Sequence, residues 1–249
     1  MSIDAELLAS EAGALNEFFA LQHDPVFRGA GVPRGDGRLV LVIPGLFGSD
    51  LYLEPLHSWL RRIGFRPVRS TMAVNAGCPD RLRTQVEGAL RRAIDRHPGP
   101  VAIIGHSRGG LLGWALASRL QEQASHLVLL GSPAPAVAAM MRAGPAPTQM
   151  PVGPSPVVRA GQRALRLLDP DCTVPACGCP YTVDLRRDLD RTTRVLSVRS
   201  RDDKVVPARA TKVTRGDNVV VSGTHSGLVY NRTVYPIVAQ FLGASQETA

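Results

Sequence analysis

The sequence predicts an α/β fold built on a mostly parallel sheet of about six strands, with helices on both faces. Two observations predict it. Six short apolar segments recur along the chain, at Leu39–Ile43, Phe65–Ser70, Val101–Gly105, Leu127–Gly131, Arg194–Ser200 and Asn218–Val221. Continuous apolar, β-branched runs of this length suit strands buried on both faces. Between them lie longer segments with helical spacing, at Tyr52–Ile63, Asp80–His97, Ser107–Gln123 and Asn231–Leu242. Strand-helix alternation of this kind makes parallel pairing with crossover helices.

The elements follow in order. Residues 4–21 place Leu7, Leu8, Ala12, Leu15, Phe18 and Phe19 at helical spacing, so a helix comes first. HDPVFRGAGVPRGDG is a Gly/Pro-rich connector, and the alternation begins after it. One stretch breaks the rhythm. Ser132–Asp171 runs for 40 residues with eight prolines and with Met140, Met141 and Met150. That is too long for a plain connection, and it leaves the sheet at the same edge as Ser107, so a cap or lid insertion is expected. The 249 residues are thus read as a single domain, with an N-terminal helix and connector at 1–36 and a cap at 132–171.

Composition narrows the function classes. Hydrophobic content of 44% with 20% charged residues is ordinary for a soluble globular protein. No apolar run approaches the ~18 residues of a membrane-spanning helix. The acidic, amphipathic start MSIDAELLASEAGALNEFFA does not read as a signal peptide, and a cytoplasmic protein is expected. Net charge is +8, with arginine at every basic position except Lys204 and Lys212. These arginines scatter over helix surfaces instead of forming a stripe, so no nucleic-acid partner is expected. At most the charge gives weak attraction to anionic surfaces, a lipid surface included, or to acyl substrates. The cysteines are Cys78, Cys172, Cys177 and Cys179. The spacing C-x4-C-x-C is not that of a zinc knuckle, and no metal is expected. A structural role for the cluster, such as a local bridge in the loop, is the special role expected of it.

The chemistry centres on Gly105-His106-Ser107-Arg108-Gly109, set between an apolar strand and a helix. G-x-S-x-G in that context is a nucleophile elbow. The tight turn strains the serine backbone, the glycines on either side avoid collisions with strand and helix, and the helix N-terminus favours developing negative charge. The competing reading is a Gly-rich turn that only packs a helix on a sheet. A serine needs a base and the base needs an orienting carboxylate. His225, in SGTHSGL between the last strand and the last helix, is the candidate base, against a plain surface histidine. His106 adjoins the serine but is fixed by the elbow and points away. The acid lies in SRDDKVVP after the penultimate strand. Asp203 is preferred, because Val205-Val206-Pro207 would pack the loop and turn it inward, leaving Asp202 outward, where an arginine could pair with it. An oxyanion needs two donors. They are assigned to the backbone N–H of Arg108 and of Leu46, the latter in PGLFGSD, where Gly45 and Gly48 would permit the turn. Ser49 or Asp50 would cap the next helix.

PGLFGSD, GHSRGG, SRDDKVVP and SGTHSGL together resemble the α/β-hydrolase superfamily, in its bacterial serine esterase/lipase branch, over about 37–242. The resemblance implies an α/β-hydrolase fold and a Ser107-Asp203-His225 triad acting on acyl esters through an acyl-enzyme, with no cofactor. The chain departs from the family pattern at Pro44, where a histidine is usual, at Arg108, and in lacking the usual first antiparallel strand pair. Two other functions carry the same motifs. One is an acyltransferase or thioesterase with this triad. The other is a catalytically silent binding protein, against which the complete triad argues.

Overall fold

The computed structural model describes residues 3–134, 160, 163 and 179–243, with side chains from residue 12 onward. Most of the expected cap at 132–171, and Cys172 and Cys177, lie outside the described residues. The strands are β1 (Leu39–Ile43), β2 (Arg66–Arg69), β3 (Val101–His106), β4 (Ala124–Leu130), β5 (Arg194–Ser200) and β6 (Asp217–Val221). They form one sheet in the order β2-β1-β3-β4-β5-β6, and every neighbouring pair is parallel. Around it stand α1 (Ile3–His23), α2 (Glu54–Arg62), α3 (Pro79–Arg96), α4 (Arg108–Leu120), α5 (Pro180–Arg186) and α6 (Val234–Gly243).

Alternate residues of each central strand feed two cores. Val40, Val42, Ala102, Ile104, Val128 and Leu130 face the layer of α2 and α6, where Trp59, Leu60, Tyr235 and Val238 are buried. Leu39, Leu41, Ile43, Ile103, Leu127 and Leu129 face α3, α4 and α5, against Val86, Leu90, Leu112, Leu116 and Tyr181. A period of two across a doubly covered sheet explains why these strands read as unbroken apolar runs. The edge strand β2 is Arg-Pro-Val-Arg with exposed ends, and Pro67 sits opposite Val40, a position open to proline because only one side of the strand is paired.

The chain passes from β1 to β2 on one side and then returns to β3 on the other, so strand order reverses between β1 and β3. Crevices at the carboxyl ends of strands open at such a point. The loop after β1 and Ser107 after β3 both lie there.

Expected boundaries shift by a few residues. β4 starts at Ala124 instead of Leu127, and α6 starts at Val234 because Asn231 first forms a turn, its Oδ1 accepting the Thr233 N–H at 2.9 Å. α5 was not expected. It is pinned between α3 and α4 by charges drawn from three helices. Arg83 pairs with Glu87 at 2.7 Å and Asp80 at 3.1 Å, Arg119 reaches Glu87 at 3.3 Å and Asp184 at 3.5 Å, and the Tyr181 N–H donates to Asp80 at 3.0 Å. Among the described residues no helix is long and apolar enough to cross a membrane.

Besides His225, three histidines are buried among the described residues: His57, His106 and His126. Burial lowers them from 6.5 to about 4, about 3 and about 4 respectively. His126 also faces Arg38, whose Nη1 donates to its Nδ1 at 2.7 Å. Below pH 6.5 the unfolded chain binds protons that the folded chain refuses. Stability is therefore fully present above 6.5 and falls as pH drops toward 4, by up to about 1.4 kcal/mol per pH unit for each histidine. Urea unfolding at pH 7.5 and pH 5.0 checks this: the midpoint is expected to be clearly lower at pH 5.0, and equal midpoints would contradict it.

Candidate active site

Ser107 joins β3 to α4 with φ 51° and ψ −123°. This conformation costs a non-glycine residue on the order of 1–3 kcal/mol and persists only where surroundings enforce it. The surroundings are backbone. The Ser107 N–H donates to Leu130 O at 2.8 Å, and Ser107 O accepts from the Gly110 N–H at 3.0 Å. A Cβ on Gly105 would lie 2.4 Å from Gly110 Cα, and one on Gly109 would lie 2.3 Å from Ile43 O. Both glycines are therefore required by close approach of helix and strand.

Asp203 and His225 meet in the loops after β5 and β6. His225 Nδ1 donates to Asp203 Oδ2 at 2.7 Å, with both side chains almost fully buried. The other oxygen, Asp203 Oδ1, accepts the N–H groups of Val205 and Val206, each at 2.8 Å. These two bonds aim the carboxylate, and of the expected apolar anchor only Val206 is buried. Asp202 is exposed, and no arginine among the described residues forms an ion pair with it. Its Oδ2 accepts the Gly223 N–H at 3.1 Å, tying the acid loop to the start of the histidine loop.

The loop after β1 lies against the elbow: a Cβ on Gly45 would sit 3.3 Å from Ser107 Cβ. Three of its four consecutive N–H groups are spent, Gly45 on Tyr52 Oη at 2.7 Å, Phe47 on Asn75 O at 3.1 Å and Gly48 on Gly45 O at 3.0 Å. The Leu46 N–H makes no hydrogen bond among the described residues. Two details differ from expectation. The left-handed residue of this loop is Phe47, at φ 59°, while Gly45 and Gly48 have ordinary φ. They are needed because a Cβ would strike His106 Nδ1 at 2.8 Å and Tyr52 Cε1 at 2.3 Å. Nor does Asp50 cap α2. Its carboxylate accepts from Ser70 N, Ser70 Oγ and Thr71 N, at 3.0, 2.8 and 2.9 Å, and so clamps the loop to the end of β2.

Arg108 follows the serine, and its guanidinium is engaged with backbone carbonyls, Nη1 on Asn75 O at 3.1 Å and Nη2 on Gly77 O at 2.7 Å. Asn75 is fully buried, and its Nδ2 donates to Pro44 O at 2.7 Å. Together they fix the loop before α3 over the loop after β1. Sequence reasoning also missed Glu17. Its Oε1 accepts the Thr224 N–H at 2.7 Å, so α1 braces the residue before His225. Contacts spanning 207 residues leave no local signal. Among the described residues no group of three or more His, Cys, Asp or Glu could hold a metal ion.

No protein-family model matches the chain. No curated protein matches it in sequence. Solved structures do match its fold. One belongs to a study of LipS and LipT, two metagenome-derived lipolytic enzymes, with TM-score 0.53 and 17% identity over 85% of this chain and 95% of that one. Another is the type II thioesterase BorB of the borrelidin biosynthetic cluster, with TM-score 0.51 and 21% identity over 84% and 93%. A third is α/β-hydrolase domain-containing protein 10 from mouse, with TM-score 0.51 and 15% identity over 84% and 92%. The six-stranded parallel sheet, its order and these likenesses agree: the chain has the α/β-hydrolase fold.

Proposed function

We propose that the chain is a serine hydrolase of carboxylic esters, acting on a small acyl ester or lipid. The observation that supports this best is the 2.7 Å bond from His225 to a carboxylate whose other oxygen is already held by two N–H groups. It lies at the sheet edge that carries a strained serine. In this reading Ser107 Oγ attacks the ester carbonyl carbon and His225 Nε2 takes its proton. Asp203 keeps the imidazole proton on Nδ1 and offsets the charge of the imidazolium. The N–H groups of Leu46 and Arg108 receive the carbonyl oxygen as it becomes negative. Collapse of the tetrahedral intermediate releases the alcohol, which leaves with the proton from His225. Water then repeats the sequence on the acyl-enzyme and frees Ser107. No step calls for a metal or organic cofactor.

A serine-directed fluorophosphonate, followed by peptide mass spectrometry, tests the nucleophile. The label is expected on Ser107, and an unlabelled or differently labelled protein would overturn the reading. Turnover of p-nitrophenyl esters from acetate to palmitate then ranks acyl length. Adding a competing alcohol or thiol separates hydrolysis from transfer, since transfer yields a new ester or thioester in place of free acid.

A further inference from the structure

The proposed reaction makes no use of two polar groups at the centre of the site, the imidazole of His106 and the hydroxyl of Tyr52. Their hydrogen bonds form one line. The Gly45 N–H reaches Tyr52 Oη at 2.7 Å, Tyr52 Oη lies 2.9 Å from His106 Nδ1, and His106 Nε2 lies 3.0 Å from the carbonyl oxygen of His225. The end groups fix the direction. A carbonyl only accepts, so the His106 proton is on Nε2. An amide N–H only donates, so Tyr52 Oη accepts there and spends its own proton on His106 Nδ1. Only a neutral His106 satisfies the line. A cation would place a second donor on Tyr52 Oη and leave the phenol proton without its acceptor. Burial acts in the same sense, holding His106 at about 3. The neighbouring His225 lowers it further, while the His225 carbonyl and Asp203 oppose the shift. Burial also raises Tyr52 above its ordinary value, keeping the phenol protonated.

We propose that Tyr52 and His106 are positioning residues, a one-way hydrogen-bond bridge that sets the spacing between the loop bearing Leu46 and the loop bearing His225. The proposal rests on the ester-hydrolase reading of those two residues. One end of the bridge is the N–H next to that of Leu46, and the other is the backbone carbonyl of the base itself. The middle is rigid. His106 is the last residue of β3, its ring centre is 5.0 Å from that of His225, and the Tyr52 carbonyl is held by the Tyr230 hydroxyl at 2.8 Å. The bridge also accounts for the two loop glycines, because their missing Cβ atoms are what let the loop lie on His106 and Tyr52. An oxyanion donor acts mainly on the transition state, where tenths of an ångström count. Loosening the bridge should therefore lower kcat more than it raises KM.

Three measurements test this. Tyr52→Phe keeps the ring and removes the hydroxyl. Expected is a fall in kcat of about tenfold, smaller than the ~10²–10³ for losing a donor itself, with KM within about twofold by the same argument. Affinity for a boronic acid that mimics the tetrahedral intermediate should fall in parallel with kcat. A wild-type protein that turns over esters beside a Tyr52→Phe variant of equal kcat would overturn the bridge and leave the hydrolase reading intact. Nitrogen-15 NMR of His106 in the unaltered chain needs neither activity nor a variant. A neutral ring with its proton on Nε2 from about pH 5 to 9 is expected, well above its lowered pKa. A proton on Nδ1, or titration within that range, would overturn the bridge even if no ester proved to be a substrate.

Discussion

Ser107→Ala is expected to lower ester turnover by about 10³-fold or more. The hydroxyl is the only group removed, and the Cβ that fills the elbow stays. The strained backbone is enforced by the Leu130 carbonyl, the Gly110 N–H and the crowding at Gly105 and Gly109, none of which involves Oγ. The variant should therefore melt within a degree or two of the parent, as a truncation of one atom outside the core would. In the proposed mechanism, what survives is binding and the two backbone donors, which alone would give a residual rate above water. Fluorophosphonate labelling should vanish with turnover. Retained turnover in a cleanly purified variant would move the nucleophile elsewhere and take the triad with it.

The elements legible in the sequence were those whose environment is repetitive. β1 and β3 are covered on both faces, so each reads as an apolar run with a clear beginning, whereas β4 carries Ser125 and His126 near its start and only its apolar part from Leu127 was legible. The elbow was legible because strand, turn and helix are contiguous. α5 was not. It has seven residues, starts on a proline, and is held by Asp80, Arg83, Glu87 and Arg119 from distant helices. Tertiary charge pairing of that kind has no periodicity to detect. The same limit applies within the site. Asp203 and His225 could be placed because their loops follow recognisable strands. Tyr52, Asn75 and Glu17 act through contacts across 54, 31 and 207 positions, and nothing in their neighbours marks them. The roles assigned to Gly45 and Gly48 show a subtler failure. A glycine in a loop suggests an unusual φ, yet here the unusual φ belongs to Phe47 and the glycines answer to packing.

Asp203→Asn should reduce turnover by orders of magnitude, about 10⁴ in a well-characterised triad, while Asp202→Asn should cost little. The two residues are adjacent and equally acidic, so composition cannot separate them; their hydrogen bonds do. Asp203 Oδ1 is held by the N–H groups of Val205 and Val206 and Oδ2 by His225, so both oxygens accept. An asparagine there must present its amide NH2 to one of these partners. If it faces Val205 and Val206, donor meets donor. If it faces His225, the imidazole is driven to carry its proton on Nε2, where it can no longer take one from Ser107. In either orientation the counter-charge for the imidazolium is gone. Asp202 is exposed and accepts one bond, from the Gly223 N–H, which an asparagine oxygen can equally accept. Its replacement keeps the tie between the acid and histidine loops and removes only a solvated charge, worth a few tenths of a kcal/mol. Thermal melts of both variants keep folding out of the comparison, and kcat on a p-nitrophenyl ester provides the readout. An inactive Asp202→Asn beside an active Asp203→Asn would mean that His225 turns to the other carboxylate in solution, and would move the acid by one residue.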